Sequence, residues 1–275
     1  MTIATRNKFI RAAALIALSF AITAVVCVIL ILVKKRLPAE MIGTRATFAL
    51  KGIPFAQWSS RASIAAIAIY PFFALAGLLY ILFAFEKTQT VEITFFAACL
   101  FAISFETLRL FIPLYQTWIH GDFLAVAVSR AVLVSRIFVL LGLLASGIFT
   151  TGQTAQQLGP SVFLLAFFSF GLGSAIPLNS SRMSANFLVI PGYSGMLSLF
   201  MLLLGFLAVL SYLIPGKMRV IPEYKHAAFG LILFLAGYAL LSLCDSWAFF
   251  GGGAALFIAG SWLYLERLHR YYLWQ

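Results

Sequence analysis

Charge is what this 275-residue chain has least of: 10% of its residues are Asp, Glu, Lys or Arg, against roughly a quarter in soluble globular proteins. Acid is scarcer still, with 8 Asp and Glu facing 19 Lys and Arg. A chain so poor in charge and 63% hydrophobic falls outside the soluble class and belongs in a membrane. Cysteine is also sparse. Cys27, Cys99 and Cys244 each lie in or beside an apolar run with no metal-ligand spacing, so they read as buried thiols and offer no disulfide framework. Also missing are the glycine-rich phosphate loop, the serine elbow of hydrolases and the paired-histidine zinc motif. No metal and no cofactor are therefore expected, and the reading leans away from an enzyme.

What the chain does have is apolar length. Several runs approach or exceed the ~20 residues that a helix needs to cross ~30 Å of hydrocarbon, and none alternates as a membrane barrel strand would. The expected fold is all-α: a polytopic integral membrane helix bundle of about eight transmembrane helices, one leading helix followed by a seven-helix bundle. The divisions are 1–36 for an uncleaved leading helix, 37–61 for an interfacial segment, and 62–275 for the bundle with a short basic tail. The leading run at 12–33 is too long for a signal-peptide core and lacks a small-residue cleavage site. The remaining helices are expected at 62–85, 91–115, 123–149, 160–176, 193–214, 227–243 and 248–265, with 266–275 as an interfacial anchor. Segment 37–61 mixes Trp58 and Phe55 with cations, which suits a membrane surface.

The formal net charge is +11, but the basic residues sit in loops and at helix ends, where they favour anionic lipid headgroups. Membrane lipids are thus expected partners. Nucleic acid is not, because no solvated basic domain carries the charge. Eight helices put both ends of the chain on one side, and localisation in the cytoplasmic membrane with both ends inside is the expectation. The positive-inside count is nearly tied, since the loop after the first helix carries Lys34, Lys35, Arg36, Arg45, Lys51 and Arg61.

The chemistry-bearing residues concentrate in 105–136, where Glu106, Arg109, Arg130 and Arg136 interrupt spanning segments. Ionised groups at bilayer depth are costly and are usually paired, turned inward and functional. Glu106 and Arg109 are three residues apart and share a helix face. A hairpin turning near Ile119 brings Arg130 to the same depth, which predicts a triad of Glu106, Arg109 and Arg130. Arg136, six residues further along, lies about 240° around the helix and is expected apart from it. Two readings stay open. The triad is a clamp that fixes helix register, or its surplus cation meets an anionic ligand.

A second polar group, Asn179, Ser181, Arg182 and Asn186 in PLNSSRMSANFLVIPG, is a possible site mouth, although Ser and Asn between prolines also make ordinary turns. His120 and Asp122 read as a polar turn without metal-binding company. A leading helix, a short exposed segment and a seven-helix bundle resemble in architecture the bacterial seven-helix sensor modules, which usually carry extracytoplasmic and cytoplasmic domains that this chain lacks. The first expectation for function is a non-catalytic module, sensing or regulatory, that binds an amphipathic or anionic ligand in the bundle and passes the change to a protein partner. The alternatives are a small permease or lipid translocator, and an intramembrane lipid-modifying enzyme.

Overall fold

The computed structural model describes residues 2–34, 55, 57–86, 90–115, 123–149, 158–218 and 222–273. Most of segment 37–61, the His120 to Asp122 turn and the Ser181 and Arg182 side chains lie outside the described residues. Among those described, eight helical spans are long and apolar enough to cross a membrane, and the only strands are a short pair. The fold is a multi-pass membrane helix bundle.

Helix α1 (Ile3–Val33) begins nine residues before the expected start. Thr2 caps it, its Oγ1 accepting from the Thr5 N–H at 3.2 Å. The buried Arg6 side chain donates to the Phe85 and Glu86 carbonyls at 2.6 and 3.2 Å, where α2 (Ser60–Ala84) ends. A cation on orphan C-terminal carbonyls stabilises the end of α2, and this contact holds the basic flank of α1 in place. The face that α1 buries is small: Ala13, Ala14, Ala17, Ala21 and Ala24 bring the backbones of α1 and α2 close.

The third span is not one helix. α3 (Val91–Ile103) passes into a 3-10 segment, Ser104–Leu110, and then into α4 (Phe111–Tyr115). Pro113 lacks the N–H that an α-helix would return to the Arg109 carbonyl, and the winding tightens in the turn before it. α5 (Phe123–Phe149) returns as expected, and α6 (Leu158–Ala175) follows.

Residues 177–192, read above as a possible site mouth or an ordinary turn, form an antiparallel hairpin of β1 (Leu178–Met183) and β2 (Val189–Pro191), with a bulge between Asn179 and Met183. The tip folds back into the bundle end, where Ala185, Asn186 and Phe187 are buried. Backbone buried away from water must find hydrogen bonds, and strand pairing supplies them where helix is not continued. Phe187 has φ +61°, a strained value for a side chain of its size. Its ring is fully buried among Ile31, Ile64, Leu110 and Val132, which offsets the strain.

α7 (Ser194–Met218), α8 (Pro222–Ser242) and α9 (Trp247–Leu273) complete the bundle. α8 starts five residues early, with Pro222 at its first position and Glu223 in its first turn, both favourable there. α9 takes in most of the expected tail, because Leu265 and Leu268 remain buried and Glu266 pairs with Arg270 one turn on. Glycines seam α8 to α9: a Cβ on Gly237 or Gly260 would meet the backbone of Phe257 or Phe234. Such contact exists only without side chains at those positions. Arg6, Glu92, Tyr224 and Tyr272 mark one end of the bundle, the terminal end; the β-hairpin and the α8–α9 turn mark the other, the hairpin end.

Candidate functional site

The 3-10 winding decides how Glu106 is met. At about 120° per residue, positions i and i+3 eclipse, so Arg109 sits directly beside Glu106 and its Nη1 donates to Oε2 at 2.9 Å. The other partner is Arg136 and not Arg130: Nε donates to Oε1 at 2.6 Å and Nη2 to Oε2 at 3.0 Å, a two-pronged pair. Tyr238 Oη adds a bond to Oε1 at 3.2 Å. The carboxylate is fully buried, Arg109 is 1% exposed and Arg136 14% exposed.

The expected triad therefore holds its members but for one exchange, and the reason is reach. Helical side chains lean toward the N-terminus of their helix, so the Arg136 guanidinium lies about a turn nearer the hairpin end than its own Cα. Judged by Cα depth, Arg130 is the match; judged by the guanidinium, Arg136 is. The 240° between the two arginines was foreseen, and it sends Arg130 outward to α6, where its Nη1 donates to the Ser174 carbonyl at 2.5 Å.

Arg109 also ties the cluster to the hairpin. Its Nε donates to the Asn186 carbonyl at 3.0 Å and its Nη2 donates to the same oxygen. Asn186 Nδ2 donates in turn to the Ser242 carbonyl of α8 at 2.9 Å, and the Val189 N–H donates to Ser129 Oγ of α5 at 2.9 Å. Of the possible site mouth, Asn186 is thus an inward latch, and Asn179 lies in the β1 ladder opposite Ile190. With each of its three nitrogen atoms donating, Arg109 is a structural cation.

A second buried carboxylate lies at the terminal end. Glu92, in the first turn of α3, is 1% exposed and accepts from Tyr224 Oη at 2.7 Å and from Tyr272 Oη at 2.9 and 2.8 Å. Its own carbonyl accepts from Ser146 Oγ at 3.3 Å, and Ser146, Tyr212 and Tyr264 continue the chain at 2.5 and 2.6 Å. Ser146 gives its only proton to Glu92, so Tyr212 donates to Ser146 and Tyr264 to Tyr212: a one-way bracing of α3, α5, α7 and α9. Sequence reading passed over Glu92, although a lone acid at the head of an apolar helix was the available signal.

The feature least legible in the sequence is a cleft of about 710 Å³ between α3, α5 and α6, with Phe9 of α1 at one end. Its walls are Ala, Val, Phe and Gly apart from Thr94, Ser135 and Arg130. Thr94 Oγ1 donates to the Thr90 carbonyl and Ser135 Oγ to the Val132 carbonyl, so both hydroxyl protons are used within their own helices. Arg130 alone keeps donors to offer. Its Nη1 bonds Ser174, and among the described residues its Nε and Nη2 have no partner.

No family model matches the chain, and no solved structure matches it. It is similar to an uncharacterized protein of Treponema pallidum (strain Nichols), at 28% identity over 247 residues, covering 72% of each chain.

Proposed function

We propose that this protein is a non-catalytic membrane module that binds an amphipathic anion in the cleft between α3, α5 and α6, and that the bound state is read by a protein partner. One observation carries the reading: the cleft is almost wholly apolar, and among the described residues that line it Arg130 alone has unused charged donors. An apolar trough with one guanidinium fits a ligand that is mostly hydrocarbon with one anionic oxygen group. The ion cluster at Glu106 suits this role less well, because the Arg109 and Arg136 guanidiniums already donate to Glu106 and to the Asn186 carbonyl, and it reads as the clamp.

The test is binding to purified protein in neutral detergent. Anionic amphiphiles should co-purify or bind with native protein and bind at least tenfold more weakly to Arg130→Gln. Equal binding by both overturns the reading. The arrangement of the hairpin favours a permease as second reading, since non-helical backbone latched inside a bundle is a feature of transporter substrate sites. Uptake into proteoliposomes that is lost with Arg130→Gln would favour it over sensing. We place the protein in the cytoplasmic membrane with the terminal end inside, on the strength of Arg6, Lys8, Arg11, Lys225, Arg267 and Arg270 near that end. Reporter fusions before residue 3 and after residue 275 that are both external overturn this.

A further inference from the structure

Resting on the binding reading above, we infer that the occupant is an acyl-chain anion, carboxylate or phosphate, held head-first: its anionic group on the Arg130 Nε–Nη2 edge at the hairpin end, its chain running toward Phe9 at the terminal end.

The polarity follows from where the cleft's two kinds of wall lie. Arg130 is the eighth residue of α5, and its side chain leans toward the α5 N-terminus, so the guanidinium sits at the hairpin end. α6 stops there: Ser174, whose carbonyl takes Nη1, is one residue from its end. A headgroup at that point lies beside the last turn of α6, where that wall of the cleft ends. Every lining residue further along, from Val134 and Phe138 of α5 to Phe101 and Thr94 of α3 and Val162 of α6, is apolar or has its hydroxyl proton committed. Reversed, the anion would lie against Phe9 and Val162 and leave the Arg130 Nε–Nη2 edge to hydrocarbon, which offers it no acceptor.

The length agrees. α5 lines the cleft from Ala127 to Phe138, which spans about 17 Å at ~1.5 Å per residue, and half of a ~30 Å hydrocarbon core is about the same. The cleft is therefore one leaflet deep, the length of one membrane acyl chain. The charge chooses among apolar occupants: a neutral helix of a partner would leave the Arg130 donors unmatched, and a cationic one would be repelled. With Nη1 held by Ser174, the remaining edge presents two parallel N–H groups, the geometry that a carboxylate or phosphate accepts in two-pronged fashion.

The experiment uses the whole chain in neutral detergent and photoreactive probes whose crosslinks are mapped by mass spectrometry. Long-chain fatty acids carry the reactive group either beside the carboxylate or at the chain end, and an anionic phospholipid carries it at one chain end; the matched uncharged alcohol is the control. The head-proximal probe is expected on Ala127, Ala131 and Phe170, and the chain-end probes on Phe9, Thr94 and Val162. The alcohol should label at least tenfold less. Labelling by the fatty acid, the phospholipid or both supports the proposal and names the source of the anion. A reversed map overturns the polarity and leaves the binding reading standing. Labels outside the cleft, labelling by the alcohol equal to that by the acid, or no labelling overturn both. Arg130→Gln should lower all cleft labelling about tenfold; if that variant fails to fold, Ala166→Trp, at an exposed lining position, fills the cleft instead and must abolish it.

Discussion

Glu106→Gln and Arg136→Met perturb one cluster from its two signs, and the cluster's charge makes their consequences unequal. Among the described residues Glu106 is the one carboxylate paired with Arg109 and Arg136, so the cluster of these three carries one surplus positive charge. Removing the glutamate charge leaves two guanidiniums of 1% and 14% exposure with no counter-ion. Breaking a buried pair from one side costs about 3–5 kcal/mol, and two stranded cations put Glu106→Gln at or above the top of that range. Removing Arg136 leaves Glu106 with Arg109, a neutral pair at 2.9 Å still supported by Tyr238, and a similar-sized apolar side chain takes the volume. That change should cost about 1–2 kcal/mol. Thermal unfolding in detergent should fall on the order of 10 °C for Glu106→Gln and a few degrees for Arg136→Met. The double variant should recover part of the loss relative to the sum of its parents, by about 1–3 kcal/mol. Equal losses for the two single variants, or strict additivity, would refute the assignment of Glu106 as the shared anion.

Other expectations are separate from the cluster. Gly237→Leu should force α8 from α9 and destabilise by more than the ~1–3 kcal/mol of ordinary overpacking, because the obstacle is the Phe257 backbone, whereas Gly251→Ala, facing open space, should be neutral or stabilising by up to ~1 kcal/mol; both read out in the same thermal assay. Tyr272→Phe removes a donor to both Glu92 oxygens and should speed hydrogen exchange through the last turns of α9, with a loss of about 1.5–3 kcal/mol. Cys244 lies in the α8–α9 turn, where burial first, and the Asp245 charge second, push its thiol up to about 11. With the thiol protonated below that value, its native alkylation at pH 8 in a Cys27→Ala/Cys99→Ala background should be about a hundredfold slower than in the unfolded chain, and should rise with pH toward 11. Equal native and unfolded rates would count against the burial described.

The spans were legible because the bilayer demands long apolar runs, and 123–149 could be read to the residue. The pair Glu106 and Arg109 was legible from a spacing of three, which both α and 3-10 winding turn to one face. The choice between Arg130 and Arg136 was not, since it depends on where a long side chain ends and on a register fixed by contacts such as Gly142 against Cys99. The hairpin was hidden by its composition: Pro177, Asn179, Ser180 and Ser181 favour turns locally, and strand pairing appears only once the bundle end removes water from the tip. Arg130 was singled out for its charge, but its neighbours Thr94, Phe101 and Val162 are remote in sequence and reveal a cleft only when α3, α5 and α6 are assembled.

The hairpin has a consequence for how the chain is built. It is synthesised between α6 and α7, yet its tip is held by Arg109, which emerges earlier, and by the Ser242 carbonyl at the far end of α8, which emerges later. Chains are made from the N-terminus onward, so this segment leaves the ribosome before its last anchor exists. Its seating is therefore deferred until two more segments, α7 and α8, have entered the bilayer. A nascent chain halted in α7 would carry Arg109 and Glu106 joined but the strand pair unlatched on the α8 side, so the seated β-hairpin reports that α8 has joined the bundle.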